Sequence, residues 1–275
     1  MMNHLDLFSG IGAFSLAAKR AGLRTTYFSE INDFANKVLA KNFPAVGNLG
    51  DVHAVEGDWL RDFVGVDIIT GGFPCTDLSI ASKGSHKGLD GEQSGLFWEM
   101  SRIVWEVDPR WVIIENVPRV LGYMKAIEDE IPFLEFTGGI YEAGEFGALC
   151  RRKRAFIVGC SEPGRVAQVC NLVQSHRTLI QSGGDEDVFP MLLPWKGGVS
   201  LERLGSCAVE IEGEEADATR IRESDGLSRG MDGHRYLALG NSIVPVIPEI
   251  IMKAILAVEA GAEVEPVGQL GFDFN

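Results

Sequence analysis

Apolar residues in this chain fall into short runs closed by glycine or a polar residue, and these alternate with stretches of helical periodicity. Residues 4–8 read as a strand that passes through Ser9-Gly10-Ile11-Gly12 into a helical pattern over 13–21, stopped by Gly22. A second strand over 25–29 ends at Glu30, and a helix over 33–42 follows. Asp51 comes after the short turn 47–50, where a third strand would end. The run 66–70 is apolar and β-branched, as in a parallel strand buried on both faces. A helix runs from 95 to about 107, amphipathic through Phe97, Ile103 and Val104. Strands over 111–114 and 155–159 come next, and a helix spans 244–259.

Alternating strands and helices predict an α/β fold with a mixed, mostly parallel sheet flanked by helices. From 161 to about 225 the periodicity fades into acid clusters at 185–187 and 210–217, with Arg177, Arg203, Arg220 and Arg222 scattered among them. The expected organisation is a main unit over 1–160, a small irregular lobe over 161–225, a returning segment over 226–260 and a tail over 261–275. The polar, glycine-rich stretch 76–94 reads as a lid, because structureless loops of that length usually serve function, and a merely disordered insertion is the plain alternative.

Composition narrows the class. With 275 residues and 45% hydrophobic content, the chain can bury a sizeable core. Five cysteines without a C-x-x-C pair point away from a disulfide framework or a zinc site and fit a reducing compartment. No signal peptide is visible and no apolar run reaches membrane length, so a cytoplasmic protein without membrane association is expected. A net charge of −14 excludes a general nucleic-acid coat protein and still allows a nucleic-acid enzyme with a locally basic cleft.

The candidate chemistry sits at strand ends. Gly71-Gly72-Phe73-Pro74 closes the 66–70 strand with a sharp, stiff turn and presents Cys75 where open α/β sheets place their crevices. A buried structural thiol is the plain reading of such a residue; a nucleophile is the functional one. Glu115-Asn116-Val117-Pro118 ends the next strand on the same edge, so a thiol and a carboxyl converge, as nucleophilic attack with proton management requires. Arg151-Arg152-Lys153-Arg154 forms a cationic cluster before the 155–159 strand; taken alone it reads as a solvated charge run. The glycine turn at Gly10 and Gly12, with Glu30 ending the second strand, has the outline of a nucleotide-type site lacking the full G-x-G-x-x-G, and an unliganded βαβ unit fits the same pattern.

Asp6-Leu7-Phe8-Ser9-Gly10-Ile11-Gly12, Gly72-Phe73-Pro74-Cys75, Glu115-Asn116-Val117 and Ala238-Leu239-Gly240-Asn241-Ser242, in this order, resemble the cytosine-C5 DNA methyltransferases over roughly 3–160 and 233–256. The resemblance implies a Rossmann-like class I methyltransferase fold and a DNA (cytosine-5-)-methyltransferase. Such an enzyme takes a methyl group from S-adenosylmethionine, leaving S-adenosylhomocysteine, and acts on a cytosine flipped out of double-stranded DNA. It implies Cys75 as the nucleophile at C6, Glu115 on N3 and the exocyclic amine, and Arg154 with Arg152 steadying the ring. For the cofactor it implies Phe8 against adenine, Glu30 on the ribose hydroxyls, Asp51 at the adenine amine, and Ile31 and Val52 as apolar walls. Gly10 and Gly12 would face the methionine portion, with Pro74, Leu96, Asn241 and Ser242 closing the pocket.

The chain departs from the family pattern at Cys150, where glutamine is usual, and at Arg222-Glu223-Ser224-Asp225-Gly226-Leu227, a loose counterpart of the run that ends the recognition domain. The short recognition region implies few base contacts and a short target. A prokaryotic or phage-encoded cytoplasmic monomer is expected, either in a restriction-modification setting with a cognate restriction endonuclease as partner or as a solitary enzyme. A tRNA cytosine-C5 methyltransferase and a catalytically silent DNA-binding relative are the alternatives.

Overall fold

The computed structural model describes residues 1–74, 96–146, 152–182 and 243–262. Seven strands form one sheet: β1 (Asn3–Leu7), β2 (Arg24–Ser29), β3 (Gly47–Asn48), β4 (Ile68–Gly71), β5 (Trp111–Asn116), β6 (Glu135–Glu142) and β7 (Lys153–Cys160). Their order is β3-β2-β1-β4-β5-β7-β6. The first five are mutually parallel, whereas β7 runs antiparallel to both β5 and β6. The mixed, mostly parallel α/β sheet expected from the sequence is the one observed.

Helices cover both faces. On one lie α1 (Ala13–Ala21), α6 (Arg165–Ser182) and α7 (Val246–Glu259), packed over Ile68, Trp111, Ile113, Phe156 and Val158. On the other lie α3 (Gly57–Trp59) with the continuing π turn Leu60–Val64, then α4 (Leu96–Val107) and α5 (Met124–Glu130). These cover Leu5, Leu7, Ile69, Val112, Ile114 and Ile157. Strand alternation divides the two cores, and β5 is buried at every position, which explains its unbroken apolar run. Helix α2 (Asp33–Asn42) is capped by Asn32, whose side chain accepts from the Phe34 and Ala35 N–H groups. Such a cap is worth about 1 kcal/mol.

The face of β1 toward α1 carries His4 and Asp6, both fully buried. Ser15 donates to Asp6 through its backbone N–H and its hydroxyl, and Thr70 Oγ1 donates to Asp6 Oδ1 at 3.2 Å. Since the Thr70 proton is used there, His4 Nε2 donates to Thr70 Oγ1 at 2.7 Å, leaving Nδ1 to accept from Thr25 Oγ1 at 2.9 Å. Burial pushes the His4 imidazole down to about 3 and the Asp6 carboxyl up to about 7. Both are therefore neutral in mildly acidic solution, as an interior without a counter-ion requires.

Four local differences from the sequence reading have physical causes. The 47–50 turn contains strand β3 itself, a two-residue exposed edge paired through Tyr27–Gly47 and Phe28–Asn48. The short helices over 57–64 and 124–130 and strand β6 carry too little apolar contrast to stand out. Strand β7 begins at Lys153, two residues before the apolar run, and so takes in Arg154. The stretch read as the start of the irregular lobe forms α6, whose Val166, Val169, Leu172 and Val173 pack into the core. Polar residues between those positions dilute the periodicity. The rest of the expected lobe, the lid at 76–94 and most of the tail lie outside the described residues.

Candidate active site and cofactor cradle

Strands β1, β2, β4 and β5 are parallel, so their carboxyl ends share one edge of the sheet. Because β7 is antiparallel, its first residues reach the same edge: Glu115 pairs with Phe156 and Asn116 with Ala155. Sequence-distant charges are thereby brought to one place. Arg154 Nε lies 3.0 Å from Glu115 Oε1 as an ion pair, and that oxygen accepts no well-formed hydrogen bond. Burial raises the Glu115 carboxyl to about 6, against the pull of Arg154 and Arg152. Desolvation thus outweighs attraction at this carboxyl.

The turn before Cys75 rests on this carboxylate. A Cβ at Gly72 would lie 2.9 Å from Glu115 Oε2, so only glycine lets the chain pass there without displacing that group. Asn116 Nδ2 donates to the Phe73 carbonyl at 3.2 Å, and its Oδ1 accepts from the Val117 N–H. Strand β5 thereby holds the chain two residues before Cys75. Pro74 follows exposed, and Ile243 Cδ1 would be 3.9 Å from a Gly72 Cβ, which brings the segment after Ser242 to this edge. Cys75, Asn241 and Ser242 themselves lie outside the described residues.

The second cluster forms at β1 and β2. Leaving β1, Phe8 adopts a left-handed φ of 54°, and Gly10 and Gly12 follow at 53° and 86°. Ser9 steadies the turn through its hydroxyl on the Asp6 carbonyl and its N–H on the Ser29 carbonyl. A Cβ at Gly12 would strike Leu39 and Phe43 at 2.9 Å, whereas one at Gly10 would meet nothing within 4 Å. Gly12 is therefore needed for packing against α2, and Gly10 faces open space. Glu30 Oε2 accepts from the Gly10 N–H at 2.7 Å, and Oε1 from the Asn32 N–H at 2.8 Å.

Asn48, which sequence reasoning missed, orders the next turn. Its Oδ1 accepts from the Glu30 and Gly50 N–H groups, and its Nδ2 donates to the Glu30 carbonyl and to Asn36. An asparagine between a strand end and a glycine is the signal that could have marked it. Asp51 caps the 3-10 turn Val52–Ala54 through the His53 N–H and also contacts His53 Nδ1 at 2.8 Å. Val52 is buried, Asp51 is exposed and Ile31 is 70% exposed, an apolar residue facing outward beside a carboxylate. Leu96 begins α4 and packs at the margin of the same core.

The donor set fits an adenosine-bearing cofactor. A glycine turn with an open Gly10 face, a carboxylate at a strand end, an outward Ile31 and an exposed Asp51 offer partners for a diol, an apolar ring and an amine.

A family model described as C-5 cytosine-specific DNA methylase matches residues 2–182. Among curated proteins, the chain is 31% identical over 169 residues to the type II methyltransferase M2.BsuMI of Bacillus subtilis, covering 57% of this chain and 41% of that protein. It is 30% identical over 165 residues to M.HhaI of Haemophilus parahaemolyticus, covering 57% and 48%. The chain thus matches less than half the length of these relatives. The crystal structure of the S. pombe Dnmt2 methyltransferase superposes with a TM-score of 0.62 at 16% identity, covering 94% of this chain and 99% of that one. The Entamoeba histolytica methyltransferase EhMeth superposes at 0.61, also at 16% identity, with the same coverage. These two structures speak for the fold.

Proposed function

Because the chain belongs to the C-5 cytosine-specific DNA methylase family, we propose that it methylates C5 of a cytosine flipped out of double-stranded DNA. S-adenosylmethionine, when bound, supplies the electrophilic methyl group. Glu30 would take the ribose hydroxyls, Asp51 the adenine amine, and Phe8, Ile31 and Val52 the adenine faces. Gly10, Gly12, Pro74, Leu96, Asn241 and Ser242 would enclose the methionine end.

Cytosine C5 is a weak nucleophile until a group adds at C6. The Cys75 thiolate forms that C–S bond, electron density moves to C5 and the ring, and Glu115 meets the change at N3 and the exocyclic amine. A carboxyl raised to about 6 can hold the proton that N3 accepts, and Arg154 beside it steadies the ring with Arg152. Once C5 is methylated, loss of the C5 proton to a solvent base lets its electron pair restore the C5=C6 double bond, which breaks the C–S bond and frees the Cys75 thiolate and the methylated base. The observation that carries this reading is the buried Glu115 lying directly against the turn that delivers Cys75, with Asn116 fixing that turn to the same strand. Of the described residues, no helix is long and apolar enough to cross a membrane.

The test is covalent trapping on duplex DNA synthesised with 5-fluorocytosine in place of cytosine. Fluorine blocks departure from C5, so a denaturation-resistant band should accumulate when S-adenosylmethionine is present. Cys75→Ser should abolish it, because a hydroxyl is far less acidic and nucleophilic than a thiol. A band from the serine variant would overturn the mechanism. Methyl transfer to bulk tRNA but not to duplex DNA would move the substrate to RNA while keeping the chemistry.

A further inference from the structure

We infer that Arg102, on the outer helix α4, is a positioning residue for the adenine end of the cofactor cradle. The inference rests on the reading that Asp51 and Val52 meet the cofactor. Asp51 caps and Val52 opens a single 3-10 turn, Val52–Ala54, which is too short to hold its own shape in water. The turn is held from outside. Arg102 Nη2 donates to the Val52 carbonyl at 3.2 Å and Nη1 to the Val55 carbonyl at 3.1 Å, so one planar fork spans both ends of the turn.

The fork is itself fixed. Its Nε donates to Glu99 at 2.9 Å, and Nη1 reaches both oxygens of Glu106 at 2.9 and 2.8 Å. Glu106 Oε2 also accepts the Gly57 N–H at 2.9 Å, and a Cβ at Gly57 would lie 2.5 Å from Glu106 Cβ. Residues 52–57 are thus strapped to one rigid helix, anchored in the core by Phe97, Met100, Ile103, Val104 and Val107. The two Arg102 bonds are charge-assisted and leave one planar fork for two separate carbonyls, a geometry that a lysine cannot reproduce. The guanidinium never meets the cofactor; it acts through the backbone of Val52 and Val55.

The experiment measures S-adenosylhomocysteine affinity by calorimetry, melting temperature, and KM for S-adenosylmethionine against kcat, in full-length protein. The variants are Arg102→Lys, Arg102→Ala, Asp51→Ala and Arg165→Ala. Arg165 is the control, since it bridges Glu162 and Glu259 far from the cradle. Arg102→Lys should weaken affinity about tenfold, a fraction of the effect of losing a charged hydrogen bond at the ligand itself. It should raise KM similarly and leave kcat at saturating cofactor within about threefold. Arg165→Ala should lower the melting temperature at unchanged affinity. If Asp51→Ala weakens binding and the folded Arg102→Lys protein binds like wild type, Arg102 is structural only and the inference fails. Wild-type affinity in Asp51→Ala would overturn the site assignment beneath it.

Discussion

Two glutamates close two strands of one sheet, and their surroundings differ in kind. Glu30, at the end of β2, accepts a backbone N–H at each oxygen and lies at a half-open rim. Glu115, at the end of β5, is 7% exposed, has one oxygen without a hydrogen bond, and has its carboxyl raised to about 6. The first arrangement fixes the glycine turn with one main-chain donor per oxygen and leaves a further lone pair on each. The second is costly to keep charged and can take or hold a proton. The sheet edge thus combines a carboxylate fixed by main-chain hydrogen bonds with a carboxyl whose proton affinity is raised by burial.

The comparison breaks most sharply at Glu115→Gln. Loss of the proton-holding group should slow methyl transfer by about 10²–10⁴-fold, measured in single-turnover assays at saturating DNA. The same change should stabilise the fold. Between 4.5 and about 6 the folded protein holds a proton on Glu115 that the unfolded chain has released, so stability falls as pH rises through that window. At about 1.4 kcal/mol per pKa unit, the wild type loses about 2 kcal/mol above the window, and the glutamine variant should not. A variant less stable than wild type in urea at pH 8 would show that the arginines outweigh burial.

Between the two glutamates, His4 and Asp6 offer a second pH test. His4, lowered from 6.5 to about 3, is neutral in the folded state where the unfolded chain is protonated, so its contribution to stability grows as pH rises through that range. Asp6, raised from 3.8 to about 7, contributes with the opposite sign, its stabilisation being lost as pH rises from 3.8 to 7. The two offset each other across mildly acidic pH. In His4→Gln, the amide can keep both hydrogen bonds but removes one titration. The stability difference between wild type and variant should then shift in favour of wild type by roughly 3–4 kcal/mol between pH 3 and 6.5. A difference independent of pH in denaturant titrations would place a proton elsewhere in the network.

The smallest effect is expected at Glu30. Glu30→Ala should weaken S-adenosylmethionine binding by about 1.5–3 kcal/mol, the scale of lost charge-assisted hydrogen bonds. Its effect on the rate at saturating cofactor should stay far below that of Glu115→Gln. Calorimetry showing unchanged affinity would remove Glu30 from the ribose contact and, with it, half of the comparison.

The sequence by itself determined the alternation of strands and helices, the buried β5 run, the glycine turn after β1 and the acid Glu30 at the end of β2. It also placed the candidate acid at the end of its strand. These are legible because burial imposes a period and because glycine marks where the backbone must turn. Tertiary structure decided the rest. Arg154 meets Glu115 because β7 runs backwards between β5 and β6, and strand direction leaves no trace in local composition. Helix α6 joined the core although its polar residues masked its period, since four apolar side chains on one face suffice to pack. Asn48 and Arg102 gained their roles from backbone groups 2 to 50 residues away. Raised and lowered proton affinities at Glu115, Asp6 and His4 likewise come from burial and from neighbours across the sheet, which exist only once the chain has folded.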